Sequence, residues 1–172
     1  SLALTLDEDY RVKKVTSRNE DGDVLLQDKT FAESLQDKSA EEAARDADII
    51  CTLTPSPTPI LESGWVQPGA HINAVGACSA TTRELNSALV ARCRLYGDSI
   101  ESGEKESGDY LIPLSEGAIQ KEHLLGTIGQ LLCGEITGRT SAQDVTVFDA
   151  LGLAIEDIAC AKYLYLAGKG EN

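Results

Sequence analysis

Two short apolar runs constrain the fold of this chain more than any other feature. Asp48-Ile-Ile-Cys-Thr-Leu-Thr54 is rich in β-branched residues and stops at Pro55-Ser-Pro57, and His71-Ile-Asn-Ala-Val75 follows the turn signal Pro68-Gly69. Runs that are apolar on both faces and bounded by Pro or Gly suit strands in the middle of a parallel sheet. Helical patterns alternate with them. Ser39-Ala-Glu-Glu-Ala-Ala-Arg45 reads as a helix with Ser39 at the N-cap and Glu42 completing a capping box. Residues 82–92 are helical in spacing, 94–96 resemble a short strand, 115–134 hold one or two helices, and 145–166 read as the longest helix. Upstream, residues 11–16 alternate as a strand and residues 1–9 read as the end of a helix. The expected fold class is α/β, an incomplete doubly wound parallel sheet of Rossmann type with a long C-terminal helix.

The totals narrow the function classes. At 172 residues the length favours a single domain with one sizeable core. With 15 Lys and Arg against 28 Asp and Glu, the net charge of -13 repels nucleic acid and anionic membrane surfaces. No apolar run reaches the roughly 18 residues of a membrane span, and no signal peptide opens the chain. Cys51, Cys78, Cys93, Cys133 and Cys160 are odd in number and show no CxxC pair, so neither a disulfide framework nor a metal site is indicated, and a reducing, cytoplasmic setting is expected. The absence of Met and the start at Ser1 suggest a segment of a longer protein.

In an open parallel sheet, ligands lie beyond the carboxyl ends of the strands. Gly76, Ala77 and Cys78 end the second apolar run, and such small residues leave room for a flat ring or a ribose; a tight strand-to-loop turn explains them equally well. Ser17-Arg18-Asn19 ends the first expected strand, where a dinucleotide site meets the adenosine ribose. Arg there accommodates the extra phosphate of NADP, whereas NAD calls for an acidic residue. Taken alone, Arg18 is explained more simply as a solvated surface side chain. No GxGxxG precedes Arg11, and Gly22 is the first glycine.

The segments ADIICTLTPSPTPIL, GWVQPGAHINAVGACSATTREL, KESGDYLIPL and TVFDALGLAIEDIACAKYLY, in this order, resemble the ornithine cyclodeaminase and mu-crystallin family over residues 39–166. The resemblance implies an NAD(P)-binding Rossmann domain and a second domain that binds substrate and forms a homodimer. It makes residues 1–144 a partial Rossmann domain without its first strand and Gly-rich loop, and 145–172 a helix returning to the dimerisation domain. Residues 20–38 match poorly.

The resemblance also implies roles for single residues. Ser17, Arg18 and Asn19 fall where members grip the adenosine 2'-phosphate, making NADPH the expected cofactor ahead of NADH. Thr54 and Pro55 match a loop beside the cofactor, and Val75 and Ala77 the strand end that meets its nicotinamide side. Glu106 falls at a substrate-facing position, where an exposed salt-bridging Glu is the plainer alternative. Cys78 stands where cyclodeaminases carry an acid and mu-crystallin-like members a Ser, and Ala150 where relatives commonly have a Ser facing the pocket. A thiol cannot replace a carboxylate at neutral pH, which disfavours ornithine cyclisation.

Three readings follow. The longer protein reduces cyclic imines or related amino acid substrates with NADPH; or it binds a small apolar ligand, such as thyroid hormone, in an NADPH-dependent way; or this chain alone is a catalytically silent, dimerising fragment.

Overall fold

A computed structural model describes residues 39–170 in full and, ahead of them, the backbone of three strands spanning 2–6, 12–18 and 24–26. The chain divides into two compact units, residues 1–45 and 46–172.

The first unit holds β1 (Leu2–Leu6), β2 (Val12–Arg18), β3 (Val24–Leu26) and α1 (Ala40–Ala44). The three strands form an antiparallel sheet in the order β1-β2-β3. Residues 2–6 are therefore a strand rather than the end of a helix, and β2 runs beside antiparallel neighbours rather than in a parallel sheet. Its alternating sequence specifies a strand without specifying the direction of its partners. In α1 the expected capping box is formed: the Ser39 hydroxyl accepts from the Glu42 backbone N–H, and the Glu42 carboxylate accepts from the Ser39 N–H.

The second unit is built on five parallel strands: β4 (Ile49–Thr52), β5 (His71–Ala74), β6 (Arg94–Gly97), β7 (Leu124–Thr127) and β8 (Thr146–Asp149). Their order is β4-β5-β8-β6-β7, so the last strand returns to fill the gap between β5 and β6. The α/β class with a parallel, Rossmann-like sheet is what the sequence leads one to expect. Helices α2 (Ser87–Arg92), α3 (Ile100–Glu106) and α4 (Gly108–Ser115) follow the middle strands, α5 (Ile128–Leu132) follows β7, and α6 (Ala154–Lys169) closes the series. Ile72, Leu95 and Val147 from neighbouring strands are fully buried with Leu85, Leu89, Val90 and Tyr110. These side chains supply the hydrophobic stabilisation of the sheet.

Several expected elements differ. Residues 145–166 are not one helix: the β-branched start enters the sheet as β8, and the chain then turns at Gly152, whose φ of 90° lies in the left-handed region that glycine tolerates. Residues 115–134 hold β7 as well as the short α5. The helix expected from residue 82 starts only at Ser87, because the backbone N–H groups of Glu84 and Leu85 donate to Asp109 and the Glu84 carbonyl accepts from Ile60 and Leu61. In this sheet β4 is an edge rather than a middle strand, with Ile49 68% and Leu53 63% exposed. Helix α6 buries none of its residues and exposes Ile155, Ile158, Tyr163, Leu164 and Tyr165. Among the described residues no helix is long and apolar enough to cross a membrane.

Candidate functional site

Because β4, β5, β8 and β6 are parallel, their carboxyl ends open on one edge of the sheet. Thr54 and Pro55 follow β4, residues 75–78 follow β5, Asp98 follows β6, and Asp149 and Ala150 end β8. Five expected site residues, Thr54, Pro55, Val75, Ala77 and Cys78, thus share this edge with Ala150, whose N–H donates to the Ala74 carbonyl at 2.8 Å. Ala77 is buried, while Pro55, Val75 and Cys78 are exposed.

Gly76 lies against the loop from β4. A Cβ on it would stand 2.2 Å from the Thr54 carbonyl oxygen and 2.7 Å from Glu84 Oε1. The two loops therefore meet backbone to backbone, with Pro55, Val75 and Cys78 exposed on the surface they form.

Behind that surface lies a group of buried carboxylates that the sequence reading did not single out: Glu84, Asp98, Asp109 and Asp149. Asp149 is anchored by the Ser107 hydroxyl, which donates to Oδ2. Burial pushes its carboxyl up to about 6 despite that bond, with Asp98 and Glu84 adding to the rise. Asp109 accepts from the Glu84 and Leu85 N–H groups through Oδ1 at 2.9 and 2.8 Å. Burial pushes it up to about 7, the two backbone bonds opposing and Asp149 and Glu84 assisting. Asp98 Oδ2 accepts from Gly152 N–H, fastening the turn after β8.

Cys78 donates its thiol to the Val75 carbonyl at 3.4 Å. Its pKa is raised, first by desolvation and then by the fields of Asp149, Glu84, Asp98 and Glu106. A thiol held protonated in this way has neither the charge nor the basicity of a carboxylate. Glu106 ends α3, exposed, and forms no ion pair among the described residues. Its field nevertheless reaches Cys78.

Ser17 and Arg18 end β2, in the first unit. Asn19 lies outside the described residues. The buried acids had a readable signal: Asp149 and Asp98 each stand where an apolar strand ends, a costly place for a charge unless the site uses it or pairs it.

Ser107 both anchors Asp149 and caps α4 by accepting from Tyr110 N–H at 3.1 Å. Ser107→Ala is expected to cost about 1–3 kcal/mol in denaturant unfolding. It should also move Asp149 further upward in a carbon-13 carboxyl titration.

The profile described as "Ornithine cyclodeaminase/mu-crystallin family" matches residues 9–171. The chain belongs to the ornithine cyclodeaminase/mu-crystallin family. It is 41% identical over 128 residues to a Delta(1)-pyrroline-2-carboxylate reductase of Bacillus cereus, a match covering 74% of this chain and 39% of that protein. Among solved structures it is similar to the Thermococcus litoralis Delta(1)-pyrroline-2-carboxylate reductase in complex with NADH and L-proline, with TM-score 0.71 and 37% identity over 77% of this chain and 42% of that one. An archaeal alanine dehydrogenase dimer with bound NAD gives TM-score 0.69 at 36% identity over 77% and 42%. The chain spans less than half the length of each of these family members.

Proposed function

We propose that this chain is the cofactor-binding part of a longer NADPH-dependent reductase of cyclic imines. The observation that carries the reading is the neutral thiol of Cys78 at the strand end, backed by buried acids, where cyclodeamination calls for an accessible carboxylate. A second support is the likeness to two proteins whose names state pyrroline-2-carboxylate reduction, one of them holding NADH and L-proline.

A nicotinamide held at the sheet edge would supply a hydride for the C=N carbon of a protonated cyclic ketimine, with the π electrons passing to nitrogen, to give a cyclic amino acid and oxidised cofactor. The chain's part is orientation: Thr54, Pro55, Val75 and Ala77 hold the ring at the sheet edge, Cys78 and Ala150 keep the contact uncharged, and Glu106 faces the substrate. The acids behind Cys78 make the edge negative, which favours an iminium cation over a neutral or anionic ligand. That field is why we prefer reduction to the storage of an apolar ligand. By the same reading the enzyme acts in the cytoplasm as a homodimer, and the substrate is an imine or amino acid.

The longer protein given NADPH and a cyclic ketimine carboxylate should consume cofactor and form the cyclic amino acid in equal amounts; no consumption would overturn the proposal. NADPH is preferred to NADH because Ser17-Arg18-Asn19 resembles the segment with which family members grip the adenosine 2'-phosphate, β2 itself lying in the antiparallel sheet of the first unit. Energy transfer from the only tryptophan, Trp65, should report tighter NADPH than NADH binding. Arg18→Ala should remove most of that preference, about tenfold, while leaving NADH binding unchanged. Equal effects on both cofactors would place the 2'-phosphate contact elsewhere.

A further inference from the structure

We infer that Glu84 is the positioning residue that sets the spacing of the two strand-end loops at the cofactor edge. Its side chain is fully buried, 0% exposed, on the segment between β5 and α2. One carboxylate oxygen accepts from both the backbone N–H and the hydroxyl of Thr54, the latter at 2.8 Å, and the other accepts from Gly76 N–H at 2.9 Å. A single carboxylate therefore joins the loop after β4 to the loop after β5.

The residue is itself held from two sides. Its N–H and that of Leu85 donate to Asp109, and its carbonyl accepts from Ile60 and Leu61 at 2.8 and 3.0 Å. Glu84 thus transmits the position of the buried segment to the two loops. Both loops lie past the strand pairing, where backbone N–H groups would otherwise lack partners.

The link also decides how Thr54 works. Its hydroxyl proton and its backbone N–H are both committed to Glu84, so Thr54 can accept a hydrogen bond from a ligand but has no donor left to offer. Gly76 has no room for a side chain between the Thr54 backbone and Glu84, so the loop carrying Val75 and Ala77 lies directly against the loop after β4. Glu84 touches neither cofactor nor substrate in this account; it acts through Thr54, Gly76 and Ala77. The proposal rests on the reading that these strand ends meet the nicotinamide.

The test is Glu84→Gln in this chain, with residue-resolved amide exchange and NADPH titration as separate readouts. A carboxamide offers one oxygen and one donor to three incoming donors, so at least one bond is lost. Thr54 and Gly76 amides should exchange about tenfold faster or more, with Ile72 and Val147 unchanged. NADPH should bind about tenfold more weakly at a temperature well below the unfolding midpoint, where the variant remains folded and a purely structural role would leave the affinity unchanged. Thr54→Val, which removes the hydroxyl and keeps both backbone bonds, should shift both readouts less in the same direction.

Unaltered exchange at Thr54 and Gly76 overturns the link whether or not cofactor binds. Faster exchange with unaltered NADPH affinity keeps the link and overturns its positioning role. A wild-type chain that binds no cofactor overturns the cofactor reading and the positioning role with it, while the exchange rates still decide the link. Should Glu84→Gln fail to fold, the wild-type rates decide: Thr54 and Gly76 amides as unprotected as open loop would overturn the proposal.

Discussion

Gly76→Ala is expected to destabilise the second unit by at least about 3 kcal/mol and to abolish cofactor binding by the fraction that still folds. The added methyl would stand 2.2 and 2.3 Å from the Thr54 oxygen and nitrogen, and both are backbone atoms. Neither can turn aside as a long side chain would. Relief requires the β4 and β5 loops to part, and parting them breaks the bonds from Thr54 and Gly76 to Glu84. Denaturant unfolding followed at Trp65 measures the cost. A change below about 1 kcal/mol would show that the loops are not in contact as described.

The second large effect is on pH dependence. Asp109, pushed up to about 7, and Asp149, pushed up to about 6, hold their protons more tightly in the folded chain than in the unfolded one. The stability this confers is complete below the ordinary carboxylate range, near pH 4, and is lost as pH rises through 6 and 7. Stability is therefore expected to fall as pH rises from about 4 and to level off above about 7, by roughly 4 kcal/mol in all from Asp109 alone at 1.36 kcal/mol per unit, of which about 3 kcal/mol falls above pH 5. Asp144, lowered by bonds from Thr140 and Ser141, works the other way and removes stability below about pH 4. Asp109→Asn keeps the Oδ1 acceptor for Glu84 and Leu85 and removes the titrating proton. It should raise stability at pH 8 and flatten the profile. Thermal unfolding between pH 5 and 8 checks both, and stability that rises with pH would refute the assignment.

How much of this was legible in the sequence differs by element. β4 and β5 were readable because β-branched runs met Pro and Gly at their ends, and α1 because its capping box is a local signal. β8 was not, since Thr146, Val147 and Phe148 sit next to apolar residues of α6 and the combined run also satisfies helical spacing. The separation is made by Gly152 and by its bond to Asp98, 54 residues away. Helix α4 was hidden by Pro113 within it, and is started by the Ser107 cap.

The site shows the same division. Residues 75–78 and Thr54 were legible because small and turn-forming residues mark a strand end. Asp98 and Asp149 carried a signal by standing at strand ends, but Glu84 and Asp109 did not, because what distinguishes them from surface acids is burial, and burial is set by contacts 8 to 30 residues distant. The exposed face of β4 was misjudged for a related reason: apolar content tells that a strand can be covered on both sides, while its neighbours in the fold decide whether it is.

The most direct measurement is an amide NMR map of the chain titrated with NADPH. The account predicts saturable shifts concentrated at Thr54, Val75, Gly76 and Ala77, with the Cys78 and Ala150 amides following and the far ends of the same strands unmoved. Shifts confined to other surfaces, or none at all, would contradict the claim that the carboxyl ends of β4 and β5 hold the nicotinamide.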